Sequence, residues 1–332
     1  VNDSGNAGQP RELEPGSHRL DCKERPMGYS RRHFCRVLTA GAALAAWTPR
    51  GAMGAETAML KRKIPATGEE LPVIGLGTSG VFDVGGSSAE RAPLNQVLKI
   101  LVDNGGALLD TSPMYNRAEA VSGDLVAAQG LRDRMFIATK VWTRGKDAGL
   151  QQIETSMRLL KSPTLDLVQV HNLLDLQTQL ANVRALKEQG KVRYTGITHY
   201  TVASHTDLEN VIQREPVDFV QLNYSIVTRQ AEQRLLSLAA ERKVAVLVNR
   251  PFEDGALFAR VRGKPLPGWA AEIDCESWAQ VFLKFIVSHP AVTCVIPATA
   301  RPEHMADNVR AGLGRMPDDK MRERMAAHVA AL

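Results

Sequence analysis

The chain has 332 residues, 44% of them hydrophobic. That is enough to bury a substantial core as one large α/β domain or as two ordinary ones. The formal charge is +5, but the first 55 residues hold eight basic and five acidic groups, which leaves 33 and 31 for the remainder. So nearly balanced a body argues against a nucleic-acid binder, which presents a basic face.

Residues 1–26 are polar, lack periodicity and are rich in turn formers, and read as disordered or as lying upstream of a true start at Met27. From Met27 the chain runs "MGYSRRHFCRVLTAGAALAAW", with an Arg31-Arg32 pair, then Phe34, then an apolar run of small residues from Val37 to Trp47. Residues 27–55 resemble a twin-arginine export signal and linker, with cleavage after Ala45 or near Gly54. The plainer alternative is an arginine pair ahead of a short helix of the folded domain. The apolar run falls short of the ~20 residues a membrane span requires, so no stable membrane insertion is expected. The resemblance implies the twin-arginine translocation machinery as a partner and a periplasmic or exported location.

The folded body is expected over 58–332. It opens with "MLKRKIPATGEELPVIG", two extended pieces around Thr67-Gly68, which predicts a hairpin able to cap a barrel floor. Eight strand-like runs then follow: "PVIGLGT", "ALLDTS", "MFIATK", "LDLVQVH", "VRYTGITH", "DFVQLNY", "VAVLVNR" and "TCVIPAT". Helical periodicity separates them over 89–103, 149–161, 176–189, 231–242 and 276–288, and a final amphipathic helix is expected over 318–331. Strands apolar on both faces, alternating with helices, suit an α/β fold closed as a (β/α)8 TIM barrel. An open doubly wound sheet is the competitor, but "GLGTSG" is a poor match to its Gly-rich phosphate turn. Residues 251–275 form a long loop of the kind that tends to be functional. Of four cysteines only Cys275 and Cys294 lie in the body; Cys294 is expected to be buried and inert, although an oxidising compartment would permit a disulfide between them. No His, Cys or Asp cluster has ligand spacing, so no metal is assigned.

In a barrel, chemistry gathers where strands end, at the C-terminal mouth. Three consecutive strands end on ionisable groups: Asp110 with Tyr115 just beyond it, then Lys140, then His171. Each has a bland reading, as a turn cap, a surface aromatic, a solvated strand end and a core histidine. Together they make a coherent set. A carboxylate keeps a buried ammonium charged, the ammonium stabilises a phenolate, and a neutral imidazole donates to a carbonyl oxygen. Those roles describe carbonyl reduction by hydride.

These stretches resemble the aldo-keto reductase family over roughly residues 58 to 332, with "LLDTSPMYN", "IATKV", "LDLVQVHN", "RYTGITHY", "DFVQLNYS" and "VIPATARPEHMADN" in the family's order. The resemblance implies NADPH, with NADH possible, bound across the mouth, a small-molecule carbonyl substrate, and Tyr115 as general acid. It further implies that Gly77, Thr78 and Gln221 lie at the nicotinamide end, and that Thr299, Arg301, His304, Asp307 and Asn308 lie around the adenosine phosphate. Three departures stand out: Thr198-His199 where Ser-Asn is usual, Asn249 where an aromatic often stacks on the nicotinamide, and Ala298 in place of a glycine. Trp142 and Phe252 are placed at the substrate mouth, with Phe252 a candidate to replace the missing aromatic. The alternative function is a nicotinamide-binding sensor or interaction module with little turnover.

Overall fold

The computed structural model describes residues 58–332. The export signal expected over 27–55 lies outside the described residues. Strands β1 (Lys61–Lys63) and β2 (Glu70–Pro72) pair antiparallel as the expected hairpin, and its tip carries Gly68 at φ 78°, a left-handed conformation natural to glycine. Ile64 and Leu71 turn from this hairpin into a cluster with Phe136, Tyr194 and Phe219, whose rings lie 5.4 to 5.8 Å apart at the strands' N-terminal ends. Glu69 fastens the hairpin by accepting hydrogen bonds from Arg193 at 2.5 Å and from the Tyr194 hydroxyl at 2.6 Å. The hairpin therefore plugs the floor and leaves the opposite end open.

Eight strands follow in one parallel sheet: β3 (Leu76–Gly77), β4 (Leu108–Asp110), β5 (Phe136–Val141), β6 (Leu165–His171), β7 (Val192–Thr198), β8 (Phe219–Asn223), β9 (Ala245–Asn249) and β10 (Cys294–Val295). Each neighbours the next in chain order, and parallel bridges from Ile74 to Val295 and from Gly77 to Ala298 join the first strand to the last. The fold is thus a (β/α)8 barrel. Helix α1 (Ser88–Asp103) follows β3, α2 (Ala118–Ala128) follows β4, α3 (Lys146–Leu159) β5, α4 (Leu176–Glu188) β6, α5 (His205–Arg214) β7 and α6 (Leu235–Glu241) β8. The segment after β9 holds α7 (Ala256–Arg260) and α8 (Trp278–Val287), and α9 (Pro302–Arg310) and α10 (Asp319–Ala330) complete the chain.

Local sequence explains where several helices begin. Ser87 and Glu90 form a capping box on α1, while Ser277 and Asp318 accept from backbone N–H groups in the first turns of α8 and α10. Helix α2 was not among the expected helices because it is buried on several faces and has little amphipathic contrast. A Cβ added at its Gly123 would lie 2.1 Å from the Leu159 carbonyl oxygen, so glycine is what lets it approach the end of α3. Helix α5 was also missed; it offers only Leu208, Val211 and Ile212 as buried apolar anchors among polar residues. The loop expected over 251–275 contains α7 and a 3-10 turn at Gly268–Ile273. Cys275 and Cys294 are free thiols, both buried; burial pushes Cys275 up to about 12 and raises Cys294 as well.

Candidate active site

The open end of the barrel is where β4, β5 and β6 deliver the expected ionisable groups. Asp110 is the last residue of β4 and Lys140 the penultimate residue of β5, both almost wholly buried. The Lys140 ammonium donates to Asp110 Oδ2 at 2.6 Å and to the Thr111 carbonyl at 2.8 Å, and lies 5.1 Å from the centre of the Tyr115 ring. Burial alone would push this lysine down, but the Asp110 carboxylate and the Tyr115 phenol push it up by more, and the net direction is above the ordinary lysine value. Tyr115 reaches the site on a turn that "TSPMY" encodes: Pro113 sets the turn, and the Tyr115 N–H donates to the Ser112 carbonyl at 3.0 Å. Beyond it, Asn116 takes a left-handed conformation and donates to Asp83 at 2.8 Å, and the Arg117 guanidinium also reaches Asp83 at 2.8 Å. Asp83 on the β3 loop thereby holds the segment that carries the phenol.

His171 ends β6 and is 6% exposed, with the Trp142 ring centre 6.5 Å away. Burial, then the charge of Lys140 and of His199, push its imidazole down to about 3, so it is neutral at ordinary pH. Its Nδ1 is buried without a partner. All four expected catalytic groups thus meet at one end of the barrel.

A cavity of about 590 Å³ opens on Asp110, Tyr115 and His171, with Lys140 buried behind them. Of the expected cofactor residues, Gly77, Thr78, Thr198, Gln221 and Asn249 line it, as does Phe252. The Thr78 hydroxyl donates to the Asp110 carbonyl at 3.0 Å, bracing that strand end. Gln221 has both ends of its amide engaged: Nε2 donates to Asp110 Oδ1 at 2.8 Å, and Oε1 accepts from Thr198 at 3.2 Å and from Asn249 at 3.3 Å. Asn249 also donates to the His199 carbonyl at 3.3 Å, which leaves its Oδ1 buried and without a partner. The His199 ring lies outside the lining set, where its Nδ1 accepts from the Tyr200 N–H at 3.0 Å.

Of the expected phosphate residues, Thr299, Arg301 and His304 lie at the start of α9 and Asp307 and Asn308 in its second half, and none of them lines this cavity. Arg301 is the N-cap of α9, and the Thr299 hydroxyl accepts its backbone N–H at 3.0 Å. The Arg301 guanidinium pairs with Glu303 at 2.5 Å, and both side chains are exposed. His304 is exposed and Asn308 buried, whereas Asp307 faces α8, accepting from Ser277 at 2.7 Å and from Gln280 at 2.6 Å.

The loop from Phe252 to Trp269, expected at the substrate mouth, brings Phe258 there, and residues without an individual expectation join it. Tyr200 and Phe258 stand exposed at the rim, and Met114 and Ile296 line the cavity. Arg250, which also lines it, is engaged by Asp254 at 2.5 Å and by the Tyr200 carbonyl at 3.2 Å. The aromatics sit in loops that carry no periodic signal. Gln169 did carry one, since it lies two residues before His171 and must share its inward face. Among the described residues no group of three or more His, Cys, Asp or Glu is placed to hold a metal ion, and no helix is long and apolar enough to cross a membrane.

Comparison with known proteins agrees with this geometry. The chain is 28% identical over 258 residues to methylglyoxal reductase YeaE of Escherichia coli strain K12, an alignment covering 75% of this chain and 89% of that one. Among solved structures, an aldo/keto reductase from Klebsiella pneumoniae in complex with NADP and acetate matches with a TM-score of 0.66 and 26% identity, over 79% of this chain and 93% of that one. An aldo-keto reductase from the same organism, in complex with NADPH, matches with a TM-score of 0.67 and 25% identity, over 82% and 96%. The sequence profile of the aldo/keto reductase family itself matches residues 73–328, the whole barrel with all four of its converging side chains, and the chain belongs to that family.

Proposed function

We propose that the chain reduces aldehydes or ketones to alcohols, or runs the reverse oxidation, with NADPH as cofactor and Tyr115 as general acid or base. The observation that carries this is the buried ammonium of Lys140 held at 2.6 Å by Asp110 and set 5.1 Å from the Tyr115 ring. NADPH, when bound, supplies the hydride that reaches the carbonyl carbon. As the carbonyl oxygen gains charge, the Tyr115 hydroxyl gives it a proton and the Lys140 ammonium stabilises the phenolate left behind. His171, neutral because it is buried, donates an N–H hydrogen bond that orients the same oxygen. In the oxidative direction the phenolate takes the proton back.

The polar lining suits a nicotinamide cofactor at the mouth, where Gly77, Thr78 and Thr198 line the cavity and Asn249 Oδ1 is a buried acceptor without a partner. Arg301 and Thr299 at the start of α9 would hold a 2'-phosphate, with His304 and Asn308 beside them. The pairing of Arg301 with Glu303 reduces the charge available there. For the substrate, Trp142, Phe252, Met114 and Phe258 offer an apolar rim for carbonyl compounds of medium size. A module that only binds nicotinamide would not need Asp110, Tyr115, Lys140 and His171 all present at one end of the barrel. We also propose export through the twin-arginine pathway, from the "SRRHF" stretch and the apolar run behind it.

The test is NADPH oxidation with a panel of aldehydes and ketones that includes small dicarbonyls, comparing wild type with Tyr115→Phe. Loss of a proton donor lowers turnover by about 10² to 10⁴. Equal rates in the two proteins, or none in either, would remove the assignment.

A further inference from the structure

Asp110 has two oxygens, and only one of them meets Lys140. The other, Oδ1, accepts from Gln221 Nε2 at 2.8 Å and from Gln169 Nε2 at 3.2 Å. The two amides are themselves joined, since Gln221 Nε2 also donates to Gln169 Oε1 at 3.3 Å. Gln169 is 0% exposed, inside a barrel whose lower half is apolar. A buried amide there is costly unless it is hydrogen-bonded, and both ends of this one are engaged by residues of the site. The neighbouring strand makes room for it: Gly196 is its register partner, and a Cβ at that position would lie 3.0 Å from Gln169 Cγ.

We propose that Gln169 is a positioning residue for proton transfer, forming with Gln221 a two-amide clamp on Asp110 Oδ1 that keeps Oδ2 and the Lys140 ammonium aligned on Tyr115. This rests on the reading of Tyr115 as the proton donor. The clamp acts by geometry and by charge. Two N–H donors stabilise the ionised carboxylate, and the ionised carboxylate keeps the ammonium charged. A relay also follows, because Gln221 Oε1 is tied to Thr198 and Asn249 on the cavity wall, so displacement of either is felt at Asp110. The other titratable groups near this set are His171 at the mouth, Glu119 behind β5 and Cys294 on β10.

Two variants test it, Gln169→Met and Gln169→Glu, with Tyr115→Phe as reference. Methionine has a similar volume and no donor. Its kcat falls about tenfold, the low end for one hydrogen bond to a charged group. The alkaline limb of the kcat profile moves to lower pH, because a less firmly held Asp110 keeps Lys140 charged less well. KM for the carbonyl and the Kd for NADPH, read from tryptophan fluorescence quenching, stay unchanged, which a merely structural defect would not permit. Glutamate has the same shape and donates only while protonated, so the kcat of Gln169→Glu relative to wild type rises as pH falls. A Gln169→Met enzyme with wild-type kcat and alkaline limb overturns the proposal, as does a Gln169→Glu enzyme that tracks wild type at every pH. If Gln169→Met does not fold, Gln169→Glu decides alone. Full activity in Tyr115→Phe would instead sink the parent assignment, whereas an inactive Tyr115→Phe beside wild-type Gln169 variants would sink only the clamp.

Discussion

Asp110→Asn isolates the pair on which the site is built. The substitution keeps the shape but removes the charge, and the local geometry decides how the new amide must sit. Gln169 and Gln221 both donate toward Oδ1, so the asparagine oxygen stays there and its NH₂ turns toward the Lys140 ammonium, donor against donor. The Thr111 carbonyl at 2.8 Å and the Tyr115 hydroxyl then remain as the lysine's partners, neither of them a carboxylate. Removing one partner of a buried ion pair costs about 3–5 kcal/mol. An upper bound comes from letting the lysine shed its proton instead: lowering its proton affinity from its free value to near neutrality is worth about 5 kcal/mol. The two figures agree, and correspond to a loss in Tm of roughly 6–20 °C for a domain of this size.

The sign of the pH dependence also changes in this variant. In the wild type the folded-state value for Lys140 is raised, so its contribution to stability is fully present below 10.5 and is lost as pH climbs through the raised value. In Asp110→Asn burial governs, the folded-state value falls, and stability is regained as pH rises toward the free lysine value. Between pH 7 and 9 that recovery amounts to at most about 2.7 kcal/mol. Thermal unfolding of both proteins across this range, followed by circular dichroism, measures it. A Tm for Asp110→Asn close to that of wild type, or one that does not rise with pH, would refute the account of a charged, carboxylate-held lysine.

His171, with its imidazole near 3, stays neutral through the assay range, so the kcat profile shows no inflection near the ordinary histidine value that vanishes in His171→Gln. Because its folded value lies below its unfolded one, wild-type stability declines as pH drops from about 6.5 toward 3, and His171→Gln flattens that decline in thermal melts. At the α9 end, Arg301→Ala weakens NADPH binding far more than NADH binding, while Glu303→Gln frees the guanidinium and tightens NADPH binding about threefold at low salt; titration of fluorescence quenching with both cofactors reads each effect, and equal losses for the two cofactors in Arg301→Ala would remove the phosphate assignment. For export, Arg31→Lys with Arg32→Lys leaves the protein in the cytoplasmic fraction and the unaltered chain appears in the periplasmic one; identical fractionation of both would end the export proposal.

The sequence by itself determined the barrel and its chemical end. Eight apolar runs alternating with helical periods leave few ways to bury both faces of a parallel sheet, and strands that close on the ionisable Asp110, Lys140 and His171 mark the mouth, because parallel strands of a barrel all end at the same rim. Helix α2 gave no signal because its burial comes from contacts with neighbours, with Gly123 against Leu159 and no amphipathic stripe left to read. Only the tertiary structure decided how the site is wired. Gln169, Gln221 and Asp110 are 52 to 111 residues apart in pairs that meet through side-chain amides, and Asp83 reaches Asn116 across 33 residues. It likewise turned Asp307 toward Ser277, 30 residues away. Strand order and spacing bring backbones together, but which oxygen a given amide reaches depends on packing between distant strands, and one chain's local pattern carries no record of it.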